Sequence, residues 1–207
     1  MALNFYDLPW QLNEDACPCD VHFNQYLQEN DIRGKSIFHF GTGEHHLVGV
    51  SNASRGNANS ILAITASQGE YQAYMELVSS DSQLAMSYKA IYADIYSLNP
   101  ELLPKFDVVT LFHLGEYWIG SGQGMHGKPT PETPLADKDL LYLFLNKLNK
   151  NGILMLYSNS AGWPRIGPIV TAAVGKGDMV KLSEFKTLQI FGSGTGSKTG
   201  SWKWFRK

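Results

Sequence analysis

Residues 36–46 read Ser36-Ile-Phe-His-Phe-Gly-Thr-Gly-Glu-His-His46, an apolar run that ends in a turn with two glycines. The run contains bulky isoleucine and phenylalanine side chains, which favour a β-strand. Gly41 and Gly43 lack a Cβ atom, so the backbone can turn sharply there and approach a ligand closely. The stretch therefore predicts a strand followed by a loop that binds a nucleotide-type ligand.

Further apolar runs predict an alternating series of strands and helices. The first helix should take Asp20 as its N-cap. Residues 51–59 are polar and small, so the first crossover should be short or partly irregular. Strands that alternate with helices predict parallel βαβ units. Predicted strands cover residues 36–40, 59–65, 88–93, 106–112 and 153–157, and predicted helices cover residues 20–31, 68–78 and 137–149.

The C-terminal part of the chain follows a different pattern. Two β-type runs, residues 180–191 and 201–207, flank a glycine-rich loop at residues 192–200 and predict an antiparallel hairpin. The loop partly matches a phosphate-binding P-loop, but serine stands at the second glycine position. It would also run into a strand, whereas a P-loop runs into a helix. We therefore reject a P-loop.

Length and composition favour a single domain over residues 1–207. The chain has 207 residues, 43% of them hydrophobic, which is enough for one substantial core. We expect residues 1–34 to form an N-terminal lid and helix, and residues 35–207 to form the core. The sequence has no secretion signal and no apolar run of about 18 residues, so we expect a cytoplasmic protein without a membrane partner. Two cysteines, Cys17 and Cys19, fit a reducing compartment.

The net charge of −2 hides an asymmetry along the chain. Residues 1–104 hold 4 Lys/Arg against 12 Asp/Glu, whereas residues 105–207 hold 13 against 7. Aromatic and basic residues alternate over residues 201–207, a pattern that can bind single-stranded nucleic acid. The two faces of a terminal strand would alternate in the same way. We favour the strand and do not expect a nucleic-acid partner.

The strand and helix series, closed by a hairpin, resembles the class I S-adenosylmethionine-dependent methyltransferases over about residues 20–207. The resemblance implies an α/β Rossmann-like three-layer sandwich, with a mostly parallel seven-stranded sheet and a C-terminal antiparallel hairpin. It also implies S-adenosylmethionine as the cofactor. The residues that carry it are Phe40-Gly-Thr-Gly43, Ala93-Asp94-Ile95 and Phe112-His113-Leu-Gly-Glu116.

The resemblance also implies where the cofactor is held. In that family the loop after the first strand lies under the methionine part of the cofactor. An acidic residue that ends the second strand holds the ribose, and an acidic residue after the third strand approaches the adenine. The residues expected to contact the cofactor are His39, Gly41, Thr42, Gly43, His45, Thr65, Ser67, Asp94, Ile95 and Phe112.

Three positions depart from the family's pattern. His39 stands where the family has an acidic residue, His45 where it has a third glycine, and Thr65 where it has the ribose-binding carboxylate. A hydroxyl can still bond a ribose, but more weakly than a charged acceptor. Glu70 could supply the missing charge if the turn after the second strand is wide.

His113 and Glu116 are the candidate catalytic residues. Methyl transfer requires mainly that the acceptor be held in line with the methyl group, with a general base where the acceptor must lose a proton. Both residues follow the fourth strand, at the edge where ligands gather in parallel sheets. A histidine titrates near neutral pH and could take that proton. The alternative, equally weighted, is that His113 packs beside the cofactor.

Two clusters contain residue types that bind metals. His45 and His46 are adjacent, so their side chains point in different directions and suit one ion poorly. We expect His45 to close over the cofactor and open the next helix. Cys17 and Cys19 are separated by one residue, whereas zinc knuckles usually have two between their cysteines. We interpret this pair as part of a lid or helix lead-in, and predict no metal.

The acceptor should bind beside the same edge of the sheet. A long loop, residues 120–134, lies between the fourth strand and the next helix and is suited to recognition. An arginine after the fifth strand could pair with an anionic substrate. The candidate acceptor-binding residues are Tyr117, Trp118, His126, Trp163 and Arg165.

The predicted function is methyl transfer from S-adenosylmethionine to a small molecule or a protein side chain. Two alternatives stay open. The chain could bind a nucleoside ligand without methylating anything, or could use the same cofactor for a different reaction. The sequence leaves the oligomeric state open.

Overall fold

The computed structural model describes Asp7 and residues 9–116 and 135–194. Its strands are β1 (Ser36–Phe40), β2 (Ser60–Thr65), β3 (Tyr88–Tyr92), β4 (Phe106–Thr110), β5 (Leu148–Tyr157), β6 (Met179–Phe185) and β7 (Leu188–Ser193). Its α-helices are α1 (Cys19–Glu29), α2 (Leu47–Ser54), α3 (Gln68–Ser80), α4 (Ser82–Ser87), α5 (Asp137–Asn146) and α6 (Trp163–Gly175). Two short 3₁₀ turns, Ile95–Ser97 and Pro100–Leu102, lie between β3 and β4.

The strands form one seven-stranded sheet in the order β3-β2-β1-β4-β5-β7-β6. The first five strands pair in parallel, and β7 pairs antiparallel with both β5 and β6. This confirms the predicted mostly parallel sheet with an antiparallel hairpin. The strand order reverses between β1 and β4, and in open α/β sheets ligands bind at the carboxyl ends of the strands on either side of such a reversal.

The core lies on both faces of the sheet, because successive side chains of β1 point to opposite sides. On one face Phe38 packs against Phe144 of α5, with ring centroids 4.3 Å apart. That cluster also includes residues of α6. On the other face Ile37 belongs to a cluster with Phe23 of α1 and with residues of α2, α3 and α4. The predicted three layers are confirmed.

One prediction about the first half of the chain needs correction, and the prediction of a short first crossover is confirmed. Pro18, not Asp20, is the N-cap of α1, and no side chain caps this helix end. Asp20 lies in the first turn and is buried. The first crossover carries a regular helix of eight residues, α2, which begins before the small polar stretch starts. The apolar residues ahead of that stretch, Leu47 and Val48, start the helix.

The hairpin lies earlier in the chain than predicted. Both of its strands, β6 and β7, fall within residues 179–193, and the predicted second strand at residues 201–207 lies outside the described residues. The turn passes through Lys186, whose φ is 54°. A lysine rarely takes this left-handed conformation, so the sequence contained no turn signal there. The fifth strand also begins earlier than predicted, at Leu148 instead of residue 153, because α5 ends at Asn146.

No helix in the described part of the chain has the length and apolarity that crossing a bilayer requires.

The amino ends of β1, β4 and β5 are joined by one carboxylate. Asp107 accepts hydrogen bonds from the backbone N–H of Ser36 (2.9 Å), the Ser36 hydroxyl (3.0 Å) and the Asn149 amide (2.9 Å). Burial alone would raise the pKa of Asp107, but these hydrogen bonds outweigh burial and lower it below its usual value. The bonds therefore favour the ionised form.

Replacement of Phe144 by alanine should destabilise the protein by about 3–5 kcal/mol, because the fully buried ring leaves a cavity beside Phe38. Denaturant titration measures this change. Met86→Ala is the control, because Met86 is 81% exposed and its loss should change the free energy of unfolding by less than about 0.5 kcal/mol. Equal effects of the two substitutions would contradict the packing described here.

Asp107→Asn should lower the free energy of unfolding at pH 7 by about 1–3 kcal/mol. Because folding lowers the pKa of Asp107, the stabilisation is present above its unfolded pKa, near 4, and is lost as pH falls through the folded pKa. The difference between wild type and variant should therefore shrink below about pH 4. Unfolding curves at several pH values measure it, and a difference independent of pH would refute the assignment.

Candidate functional site

A cavity of about 320 Å³ opens at the carboxyl ends of β1 and β4, where the strand order reverses. Its walls come from the N-terminal segment between Trp10 and Asp20, from the loop after β1, and from residues that follow β4 and β5. The volume is at the lower end of the range for small-molecule sites, about 300–1,000 Å³. The sequence-predicted ligand loop therefore lies in the wall of the cavity.

The two glycines of this loop make room for imidazole rings. Gly41 has a φ of 87°, and a Cβ atom there would lie 2.6 Å from Cδ2 of His113. Gly43 has a φ of 54°, and a Cβ atom there would lie 2.3 Å from Nε2 of His45. Both the backbone conformation and the close contact exclude a side chain. Glycine is thus required by the neighbouring histidines, whether or not a ligand approaches.

His45 and His46 point to different places, as their adjacency predicts. His45 lines the cavity, and its Nδ1 accepts a hydrogen bond from the N–H of Leu47 at the start of α2. Burial lowers the pKa of His45 to about 4, so the ring is neutral at pH 7. His46 is buried and bonds the Tyr88 hydroxyl and the Glu70 carbonyl, both at 2.7 Å. His46 therefore joins α2, β3 and α3 instead of facing the cavity.

The predicted catalytic residues form a hydrogen-bonded pair. Nδ1 of His113 lies 3.0 Å from Oε2 of Glu116, and both residues line the cavity. Burial alone would lower the pKa of His113, but the hydrogen bond and the charge of Glu116 outweigh burial and raise it to about 9. His113 and hydrogen bonds from Ser160 and Ala161 lower the pKa of Glu116 despite its burial. At pH 7 the pair is an imidazolium and a carboxylate.

Glu70 forms a second hydrogen-bonded cluster on the cavity wall. Its Oε2 accepts hydrogen bonds from the hydroxyls of Thr42 (3.0 Å) and Thr65 (2.5 Å), and its Oε1 accepts one from the N–H of Trp10 (3.2 Å). Ser67 caps α3 by accepting a bond from the N–H of Glu70. Thr65, the last residue of β2, thus holds the Glu70 carboxylate of α3 beside the glycine loop.

His39 does not reach the cavity. Its side chain is 1% exposed, and Nδ1 bonds the Thr110 hydroxyl at 2.7 Å. Nε2 has no hydrogen-bond partner among the described residues and lies 3.6 Å from Oδ1 of Asp20. Burial lowers the pKa of His39 to about 3, so the ring is neutral. Asp20 itself lines the cavity, and burial raises its pKa to about 7.

Two cysteines complete one wall of the cavity. Sγ of Cys17 lies 3.5 Å from Sγ of Cys19, and Sγ of Cys19 lies 3.8 Å from Nε2 of His113. A hydrogen bond from Cys19 lowers the pKa of Cys17 to about 6, against the effect of burial. The same hydrogen bond, together with burial, raises the pKa of Cys19. The sequence showed the pair but not its proximity to His113.

The N-terminal segment closes over the loop after β1 and the start of α3. The carbonyl of Asp7 accepts a hydrogen bond from Gly69 (3.2 Å), and the carbonyl of Trp10 accepts one from Glu44 (2.9 Å). Together with the Trp10 bond to Glu70, these contacts place residues 7 and 10 over the edge of the cavity. That position is compatible with the predicted lid.

Besides His39, Thr65 and Ser67, three more predicted cofactor contacts do not line the cavity. Asp94 follows β3, is buried, and accepts a hydrogen bond from the N–H of Tyr96 (3.0 Å). Ile95 and Phe112 are buried in the two hydrophobic clusters. A role of these three residues toward an adenine stays a prediction.

The predicted acceptor-binding residues are only partly described. Trp163 is the first residue of α6 and packs against the core. The Arg165 guanidinium donates a hydrogen bond to the carbonyl of Gly115. Neither residue lines the cavity, and their acceptor contacts stay a prediction. Tyr117, Trp118 and His126 lie outside the described residues.

Comparison with known proteins relates the chain to methyltransferases by structure alone. No protein-family model matches the sequence, and no curated protein matches it. The methyltransferase CcbJ from Streptomyces caelestis superposes with a TM-score of 0.60 at 8% identity, over 89% of this chain and 94% of that one. A putative rRNA methylase from Clostridium thermocellum gives a TM-score of 0.54 at 14% identity, over 87% and 97%.

TrmN from Thermus thermophilus gives a TM-score of 0.51 at 18% identity, and here the match covers 82% of this chain but 48% of TrmN. At these identities the likeness concerns the fold. It agrees with the mostly parallel seven-stranded sheet, its antiparallel C-terminal pair and the helices on both faces. The chain has the fold of the class I S-adenosylmethionine-dependent methyltransferases.

Proposed function

We propose that the chain binds S-adenosylmethionine in this cavity and transfers its methyl group to a small molecule or a protein side chain. The observation that carries the proposal is the position of the Glu70 carboxylate. It is held by Thr42 of the glycine loop and by Thr65 at the end of β2, where the resemblance requires an acidic residue for the ribose.

Glu70 can serve a ribose because its carboxylate has unused acceptor capacity. An ionised carboxylate offers about four lone-pair sites. Two threonine hydroxyls and the N–H of Trp10 use three of them. A ribose hydroxyl can take the remaining site or replace the N–H of Trp10. The carboxylate comes from α3 instead of from β2 itself, and Thr65 fixes its position.

Asp20 can supply the negative charge that is missing at the position of His39 in β1. The family has an acidic residue where this chain has His39, and His39 is neutral and buried. The Asp20 carboxylate lies 3.6 Å from the His39 ring and faces the cavity beside the glycine loop. An ammonium group at the methionine end of the cofactor would find its counter-charge there. Both displaced carboxylates are therefore on the same cavity wall as Gly41–Gly43.

When bound, S-adenosylmethionine supplies an electrophilic methyl group on a positively charged sulfur. His113 and Glu116 line the cavity and can orient an acceptor. A positive charge beside His113 lowers its pKa, because two like charges repel. That shift would bring His113 toward the neutral form, in which it can accept a proton.

One observation favours the alternative of binding without methylation. The pKa of His113 is raised to about 9, so at pH 7 the ring already carries the proton that a general base would have to accept. A labelled-methyl screen of small molecules and proteins separates the two functions. Transfer to an acceptor supports methylation, whereas tight cofactor binding with no transfer to any acceptor favours the binding function.

Calorimetry should detect binding of both S-adenosylmethionine and S-adenosylhomocysteine. Glu70→Gln should weaken both by about 1–3 kcal/mol, because an amide cannot replace a carboxylate that accepts several hydrogen bonds. Glu76→Gln is the matched control, since Glu76 lies on the exposed face of the same helix and should leave the affinity unchanged.

Circular dichroism must show that each variant is folded. Absence of binding by either ligand to the folded wild type would refute the proposed cofactor. Equal affinities of wild type and Glu70→Gln would refute the assignment of Glu70.

A further inference from the structure

The cysteines and His113 form a cluster of which the proposed methyl transfer uses only His113. The sulfur atoms of Cys17 and Cys19 and a ring nitrogen of His113 all lie within 4.8 Å of one another. Cys19 is 2% exposed, and Cys17 is half-buried at the cavity wall. The cysteines come from the start of α1, and His113 lies 94 residues after Cys19, behind β4. The fold brings them together.

We propose that Cys17, Cys19 and His113 bind a Zn²⁺ ion whose fourth position opens into the cavity. Thiolate sulfur and imidazole nitrogen are ligands that zinc prefers. A set of two cysteines and one histidine, with one open position, is a composition known for catalytic zinc. Both thiols are free in the structure, so both are available as ligands.

Two of the three ligand-to-ligand distances are close to those that a tetrahedral site requires, and the third is within 4.8 Å. Zinc bonds of about 2.3 Å to sulfur and about 2.05 Å to nitrogen place two sulfurs about 3.8 Å apart and a sulfur and a nitrogen about 3.6 Å apart. The two sulfur atoms are 3.5 Å apart, and Sγ of Cys19 is 3.8 Å from Nε2 of His113. Movements of a few tenths of an ångström would bring these two pairs of atoms to the distances that zinc requires.

Glu116 is a positioning residue for this site. It bonds Nδ1 of His113 at 3.0 Å and so leaves Nε2 facing Cys19. Histidines that bind metals usually have such a carboxylate on their other ring nitrogen, which fixes the ring and its tautomer. Glu116 is itself held by Ser160 and Ala161. Gly41 leaves the space in which the ring lies.

The metal site shares no ligand with the proposed cofactor contacts at Glu70 and Asp20, although Sγ of Cys19 lies 3.8 Å from Oδ1 of Asp20. Zinc binding does change the role of His113. A histidine that binds zinc through Nε2 cannot also accept a proton there, so in the metal-bound protein His113 is a ligand and not a base. Zinc binding and S-adenosylmethionine binding are measured separately, so a negative result in one does not decide the other.

Metal content of the reduced, untagged protein tests the proposal. After incubation with Zn²⁺ and removal of free ions, about one zinc per chain should remain bound. Co²⁺ in its place should give the intense absorption of sulfur-to-cobalt charge transfer. Cys17→Ser and His113→Gln should each lose most of the bound metal, and Glu116→Gln should weaken binding by about 10–100-fold. His22→Gln is the matched control on α1 and should bind like wild type, since His22 bonds Thr187 outside the cavity.

A second measurement needs no variant and covers the case in which a substitution prevents folding. Bound Zn²⁺ should slow alkylation of Cys17 in the wild type by at least about tenfold, as followed by mass spectrometry, because a coordinated thiolate reacts more slowly than a free one. Three results would overturn the proposal: no zinc retained, cobalt spectra without charge transfer to sulfur, or alkylation of Cys17 at the same rate with and without Zn²⁺.

Discussion

The imidazole of His113 lies against the backbone of Gly41. Both the cavity wall at the glycine loop and the cluster of His113 with Glu116 and the cysteines depend on this contact. A Cβ atom at residue 41 would lie 2.6 Å from the ring, and the φ of 87° excludes most other residues as well. The contact lies just beyond the paired strands β1 and β4, at the strand reversal. It holds His113 between Glu116 on one ring nitrogen and the cysteines on the other. The missing side chain at Gly41 therefore leaves the space that the His113 ring needs, both to line the cavity and to face the cysteines.

Two carboxylates of the site come from helices at positions where the family has them on strands. Strands β1 and β2 carry His39 and Thr65 where the family has carboxylates, and the structure places Glu70 of α3 and Asp20 of α1 nearby. The Thr65 hydroxyl donates a hydrogen bond to the Glu70 carboxylate. In the proposed site Thr65 therefore positions an acid instead of substituting for one. His39 is a neutral core residue that packs parallel to Phe23. The chain thus has Glu70 and Asp20 at the cavity while β1 and β2 carry neutral residues at these two positions.

The sequence predicted β1 to β4 well, because each is a short apolar run with clear boundaries, and β1 was predicted at its observed limits. The start of β5 was missed, because the polar residues 149–151 gave no strand signal. It failed at the hairpin, where the turn uses Lys186 in a conformation that glycine or asparagine usually signals. For the site, the loop at Gly41 and the pair His113–Glu116 were found, since both follow strands. The link between Cys17, Cys19 and His113 could not be found, because it depends on tertiary contact between distant segments. Glu70 was considered only conditionally, since helix geometry decides whether it reaches Thr65.

The central claim is that Glu70 and Asp20 replace the missing strand carboxylates in holding the cofactor. A crystal structure with S-adenosylhomocysteine tests it most directly. We expect the ribose hydroxyls within hydrogen-bonding distance of the Glu70 carboxylate, and the amino group of the ligand within reach of Asp20 beside Gly41 and Gly43. A ligand bound elsewhere, or bound here with its ribose and amino group turned away from both carboxylates, would contradict the account.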